Sequence, residues 1–127
     1  MLLKLRGGET KKLKEYYYSR FEQFGISRDR IIIKGLLEKQ EDHYKLYSEM
    51  DIALDTYPYS GTTTTFEALW MGVPVVTLYG KHHASRVSLS ILKNLGLEFF
   101  GAENQEEYVK KAVMLALKPD AFEKIRK

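Results

Sequence analysis

The sequence predicts an α/β fold, a Rossmann-like parallel sheet with helices on both faces. Three observations predict it. Short aliphatic or β-branched runs alternate with helical apolar periodicities along the 127 residues, the order that wraps a parallel sheet in helices. The run Arg30 to Lys34, RIIIK, reads as a strand buried on both faces. Finally, the apolar run Ile52 to Leu54, the turn Pro58-Tyr59-Ser60-Gly61, a helical stretch and the run Val73 to Leu78 compose a strand–turn–helix–strand unit. The length fits one domain.

Taken in order, Leu2 to Arg6 is expected to be a strand followed by a Gly7-Gly8 turn. A domain that begins on a core strand is expected to belong to a longer chain. Glu9 to Phe24 reads as a helix with Leu13, Tyr17, Phe21 and Phe24 on one face and a lysine-rich solvated face opposite. Gly25 is its expected stop. After the RIIIK strand and a loop at Gly35 to Lys39, Gln40 to Met50 is a second helix and Asp51 to Thr56 a third strand. Thr62 to Met71 is the central helix, ended by Gly72, with Pro74 near the start of the next strand, Val73 to Leu78. Gly80 to His83 is a loop, Ser85 to Leu95 a helix capped by Gly96, and Leu97 to Phe100 a short extended piece. Asn104 and Glu107 read as a capping box for a helix reaching about Leu117. Pro119 stops it, and Ala121 to Lys127 is a closing helix.

Composition narrows the function classes. Hydrophobic residues are 44%, charged residues 29% and aromatic residues 13% of the chain, the profile of a packed globular protein. The net charge is +3, with 11 Lys/Arg against 8 Asp/Glu in the first fifty residues and 9 against 9 beyond. So weak a basic excess argues against a nucleic-acid surface. The chain has no cysteine, which removes disulfide and thiol chemistry and fits a reducing, cytoplasmic location. No apolar run approaches the roughly 18 residues of a membrane span. Lys4 and Arg6 interrupt the apolar start, so no signal peptide is read.

In a parallel sheet, ligands bind outside the carboxyl ends of the strands. Most of the candidate residues lie on or just after those loops. Thr62, Thr63, Thr64 and Thr65 follow Gly61 at the expected start of the central helix. There, backbone N–H groups lack intrahelical partners and hydroxyls add neutral donors, a setting for phosphate. The same residues also serve as ordinary helix caps. Glu67 lies one turn further on the face of Thr63, placed either to accept from ribose hydroxyls or simply to favour the first helical turn. His43, early in its helix, is either a surface residue or a ligand contact. Lys81, His82, His83 and Arg86 form a small cationic group suited to anions, and adjacent histidines make a poor zinc site. Asp51 and Asp55, four apart in one strand, share a face. The sequence has no Ser-His-Asp order, no GxGxxG, no Walker motif and no paired general acid and base.

The stretch DIALDTYPYSGTTTTFEALWMGVPVVTLYGKHHASRVSLSILKNLGL, Asp51 to Leu97, closely resembles the C-terminal catalytic lobe of the O-linked N-acetylglucosamine transferases, the group that includes the SPINDLY-like proteins. RIIIKGLLEKQEDHYKLYSEMD before it also fits, so the resemblance runs from about Arg28 to Leu117. It implies the C-terminal lobe of a GT-B glycosyltransferase, in which two Rossmann-like lobes flank the sugar nucleotide. It implies a UDP-N-acetylglucosamine donor, no metal or other cofactor, inversion at the anomeric carbon and transfer to Ser or Thr hydroxyls of a protein or peptide acceptor.

Carried over by position, the implied UDP-binding residues are Gln40, His43, Gly61, Thr62, Thr63, Thr64 and Glu67. Thr63 and Thr64 would contact the diphosphate, Glu67 the ribose in place of an Asp of animal relatives, and His43 the uracil face. The loop at Glu38 to Gln40 would pair with the uracil edge. Two positions depart from the pattern: Ser60-Gly61-Thr62 replaces Asn-Gly-His, and Gln40 replaces a Lys three residues before the uracil-packing His. Both remove donor or positive character near the nucleotide. The family's catalytic lysine and N-terminal lobe have no counterpart here, so no catalytic residue is assigned. The chain alone is expected to bind nucleotide weakly and not to catalyse transfer. The alternative is a degenerate GT-B lobe acting as a non-catalytic interaction domain.

Overall fold

The computed structural model describes residues 1–4, 10–35 and 40–118. The expected strand end at Leu5-Arg6, the Gly7-Gly8 turn, the loop from Leu36 to Lys39, the Pro119 stop and the closing helix at Ala121 to Lys127 lie outside the described residues. The chain divides into two compact units, Met1–His43 and Tyr44–Lys127. The fold is α/β, and every described strand pairing is parallel.

In the first unit, β1 (Leu2–Lys4) pairs with β2 (Ile32–Lys34) in the register Leu2↔Ile32. Helix α1 (Lys11–Glu22) joins them. The Thr10 hydroxyl caps it by accepting the Leu13 N–H at 3.3 Å. The helix ends at Glu22, earlier than the periodicity indicated. Gly25 then takes φ 74°, and the Ile26 N–H bonds back to the Phe21 carbonyl, closing the end in the left-handed manner. Phe24 therefore falls beyond the helix and is 76% exposed instead of completing the apolar face. The RIIIK run is corrected in the same way. Arg30 ends a 3-10 turn, Arg28–Arg30, and the strand begins only at Ile32. Ile31 and Ile33 are buried but Ile32 is 49% exposed, so the strand covers one face and not two.

The glutamates of α1 also do more than face solvent. Arg28 reaches Glu22 at 2.6 Å and Glu15 at 3.0 Å. The bond from Arg28 holds the Glu22 carboxyl below the ordinary carboxylate range.

Helix α2 (Gln40–Tyr47) spans the boundary between the units and stops three residues short of the expected Met50. In the second unit, β3 (Ala53–Leu54), β4 (Val75–Leu78) and β5 (Gly101–Ala102) form a sheet in that order. The registers are Ala53↔Val75 and Thr77↔Gly101. The central strand is buried from Val75 to Thr77, and its alternate residues feed two cores. Val75 packs with Tyr47 of α2 and with Ala68 of α3 (Thr63–Trp70). Val76 packs with Leu92 of α4 (Val87–Asn94), Phe100, and Leu115 of α5 (Gln105–Leu117). Helices therefore cover both faces of β4.

Three expected elements in this unit differ. The third strand is two residues long, not six, and Asp51 lies before it as an exposed residue, so Asp51 and Asp55 do not share a strand face. Leu97 to Phe100 is not extended: Glu98–Phe100 is a 3-10 turn that buries Phe100, and the strand is Gly101–Ala102. Close packing decides that position, since a Cβ on Gly101 would lie 2.6 Å from the Leu89 side chain. The helix read from Ser85 begins at Val87, after a separate 3-10 turn His83–Ser85.

Candidate functional site

The loops after β3 and β4 meet at the carboxyl end of the second sheet. The first leaves β3 at Asp55 and passes a cis Tyr57–Pro58 peptide and Ser60-Gly61 into α3. The second runs from Tyr79 to Arg86 into α4. They are joined at Ser60, whose N–H and hydroxyl both donate to the Ala84 carbonyl, at 2.9 and 3.0 Å. Tyr57 packs against Gly80, where an added Cβ would meet the Tyr57 ring at 3.2 Å and the Ser85 hydroxyl at 2.7 Å.

Helix α3 begins at Thr63, so Thr62 is its cap and not its first residue. The Thr62 hydroxyl makes no capping hydrogen bond. The first rung of the backbone ladder is the Phe66 N–H donating to the Thr62 carbonyl at 3.0 Å. The amides of Thr63, Thr64 and Thr65 precede that rung, in the positions where helix donors have no carbonyl one turn back. Thr62, Thr63 and Thr64 are exposed. These groups form a concentration of neutral donors at the positive end of a helix dipole.

Thr65 separates from the other threonines. It is buried, and its hydroxyl lies 2.8 Å from the Ser88 hydroxyl of α4. Ser88 donates to the Gly61 carbonyl at 2.9 Å, which makes Thr65 the donor in the Thr65–Ser88 bond. A fourfold threonine run thus has one member facing the core and two in the exposed first turn.

Gly61 stands where no side chain fits. A Cβ would lie 2.5 Å from the Thr64 hydroxyl and 2.8 Å from that of Thr65. Its own N–H donates to Asp55 Oδ1 at 2.8 Å. Asp55 Oδ2 accepts from the buried Thr77 hydroxyl of β4 at 2.7 Å.

Glu67 sits one turn into α3, half-buried, and its carboxylate accepts from the Tyr47 hydroxyl at 3.2 Å. The same hydroxyl lies 3.4 Å from the Thr64 carbonyl. Burial and the neighbouring Glu67 carboxylate raise the Tyr47 pKa well above the ordinary phenol value, so Tyr47 is a neutral donor at physiological pH.

The structure thus brings Gly61, Thr62, Thr63, Thr64 and Glu67 together on one turn and one helix start. Gln40 and His43 belong to the other unit and are placed by their positions in the first turn of α2. The side chain of Gln40 and the loop at Glu38 and Lys39 lie outside the described residues. Lys81, His82 and His83 are exposed, while Arg86 donates to the Gly80 carbonyl at 2.8 Å and stacks over Tyr79. Among the described residues, no group of three or more His, Cys, Asp or Glu side chains is placed to hold a metal ion. No helix of the described residues is long and apolar enough to cross a membrane.

Sequence reasoning missed the roles of four residues at this site. Asp55, Ser60 and Ser88 supply its internal hydrogen bonds, and Tyr47 supplies the donor to Glu67. Tyr47 looked like an ordinary apolar-face residue. Only Asp55, an acidic residue ending a strand just before a glycine turn, carried a signal that could have been read.

Comparison with known proteins places these features in a family. The family model described as glycosyl transferase family 41 matches residues 7–127. The chain is 47% identical over 104 residues to the probable UDP-N-acetylglucosamine–peptide N-acetylglucosaminyltransferase SPINDLY of Solanum lycopersicum, covering 82% of the chain and 11% of that protein. It is 39% identical over 126 residues to the protein of the same description from Eustoma exaltatum subsp. russellianum, covering 99% of the chain and 14% of that protein. A solved O-GlcNAc transferase mutant of Thermobaculum terrenum superposes with a TM-score of 0.91 at 35% identity, over 98% of this chain and 24% of that one. The chain therefore spans a small part of the length of these relatives. With its model matched from residue 7 onward, the chain belongs to glycosyl transferase family 41.

Proposed function

We propose that the chain is the donor-binding lobe of an inverting, metal-independent UDP-N-acetylglucosamine:protein Ser/Thr O-glycosyltransferase. Acceptor recognition and the catalytic groups would be supplied by the rest of the protein. One observation carries the reading: Thr63 and Thr64 stand exposed in the first turn of α3, ahead of its first backbone rung, on a turn fixed by Gly61.

The chemistry follows from that arrangement. Breaking the bond from sugar to diphosphate leaves charge on the departing UDP. Preorganised amides and hydroxyls at a helix N-terminus stabilise that charge without reorganising, so a metal ion is not required for the task. Glu67, held by Tyr47, would accept from the ribose hydroxyls. The helix start and the carboxylate read features common to every nucleoside diphosphate; recognition of uracil by Gln40, His43 and the loop before them is what the family resemblance implies.

The test is transfer by the intact parent protein. Incubated with UDP-N-acetylglucosamine and a Ser/Thr peptide in the presence of EDTA, it is expected to add one N-acetylhexosamine, read by mass spectrometry, and the Thr63→Val/Thr64→Val variant to lose most of that activity. A parent that transfers nothing from this donor would contradict the proposed reaction. Titration with UDP, GDP and ADP then separates an error in the base or sugar from an error in the diphosphate site.

A further inference from the structure

Asp55 places a carboxylate beside a turn that, in the proposed function, faces a diphosphate. Like charge there is unfavourable unless the carboxylate meets a need that outweighs it. Its two oxygens are both engaged, Oδ1 by the Gly61 N–H at 2.8 Å and Oδ2 by the Thr77 hydroxyl at 2.7 Å. Thr77 is fully buried in the central strand. The backbone of Asp55 is fixed as well: its N–H donates to the Val76 carbonyl at 2.9 Å and its carbonyl accepts from the Tyr108 hydroxyl at 2.9 Å. On the far side of Gly61, the carbonyl is held by Ser88 at 2.9 Å. The backbone entering α3 is thus gripped at the N–H and the C=O of the same residue, by Asp55 after β3, itself bonded to Thr77 of β4, and by Ser88 of α4.

We propose that Asp55 is a positioning residue for the donor diphosphate, transmitting the fixed geometry of β4 through Gly61 to the exposed amides and hydroxyls of Thr63 and Thr64. This rests on the reading of that helix start as the diphosphate site. In this role Asp55 acts through Gly61 and not on the substrate itself. It sets the direction in which the first turn of α3 presents its donors, and small displacements of such donors cost binding steeply. The carboxylate is suited because each oxygen accepts one bond from a different element.

The experiment measures binding of three probes, UDP, inorganic pyrophosphate and uridine, to the intact parent protein. Asp55→Ala is expected to weaken UDP and pyrophosphate alike, by about tenfold or more, while uridine changes by less than about twofold. Asp55→Asn keeps an oxygen for the Gly61 N–H, lets its amide donate to Thr77 and removes the repelling charge, so it is expected to restore pyrophosphate affinity. Equal pyrophosphate affinity in wild type and Asp55→Ala, or an equal loss of all three probes, would overturn the proposal. Should Asp55→Ala fail to fold, Thr77→Val takes its place. It frees one carboxylate oxygen and is expected to reduce pyrophosphate affinity but not uridine affinity, and an unchanged pyrophosphate affinity would again overturn the proposal. A wild-type protein that binds neither UDP nor pyrophosphate would instead refute the underlying diphosphate reading.

Discussion

The threonine run shows how one residue type divides its duties by position. Thr65 points inward to Ser88 and Thr63 and Thr64 stand exposed, because successive helical residues turn by about 100°. Thr65→Val keeps the shape but removes the hydroxyl that donates to Ser88. Thermal or urea unfolding of the parent is expected to show a loss of about 1–2 kcal/mol, as for a buried partner left short of a hydrogen bond. Gly61→Ala acts differently. Its methyl would meet the Thr64 hydroxyl at 2.5 Å, so the cradle must shift to admit it. UDP affinity is expected to fall about tenfold, or ~1.4 kcal/mol, with a smaller change in melting temperature. Unaltered UDP affinity in Gly61→Ala would mean that the turn does not face the ligand.

At the scale of elements, periodicity placed the helices well and the strands less well. The α5 cap was legible because Asn104 and Glu107 are local chemistry. The Asn104 side chain accepts the Glu107 N–H at 2.9 Å as expected, though Glu107 reaches back to the Glu103 N–H and not to that of Asn104. Asn104→Ala is expected to cost about 1 kcal/mol in unfolding free energy. Glu107 also carries a pH dependence. Its bond to Lys111, then that to the Glu103 amide, lowers its pKa below the ordinary 4.5. A depressed carboxyl contributes stability that is present above about pH 4.5 and is lost as the pH falls through the folded value. Glu107→Gln is therefore expected to lower stability at neutral pH and to flatten the acid limb, because the variant has no such contribution to lose as the pH falls. A variant with the same acid limb as wild type would contradict that assignment. What periodicity could not supply was strand length and burial. Ile32 is as aliphatic as its buried neighbours Ile31 and Ile33, yet it is 49% exposed, because exposure depends on what packs against a strand and not on its own residues.

At the scale of the whole molecule, alternation of elements and the Asp51 to Leu97 motif made the α/β class and the family legible before any coordinates. The internal bonds of the site were not legible. Asp55 to Gly61, Ser88 to Gly61 and Tyr47 to Glu67 join residues from 6 to 27 positions apart, and no local pattern announces such pairs. The sequence singled out the threonine turn, and the structure supplied what orients it. Ligand linkage offers one global check: a diphosphate that binds only the folded state raises its stability by about 2.7 kcal/mol at a hundredfold excess over Kd. UDP is expected to raise the melting temperature of the parent equally with and without EDTA, and a shift abolished by EDTA would contradict metal independence.

The most direct measurement is calorimetric titration of UDP into the intact parent protein, wild type beside Thr63→Val/Thr64→Val. The first turn of α3 as diphosphate cradle predicts binding by wild type and affinity lower by at least about tenfold in the variant, with hydrogen bonds to charged groups contributing ~1.5 kcal/mol or more each. Equal affinity in the two proteins would show that the phosphates lie elsewhere.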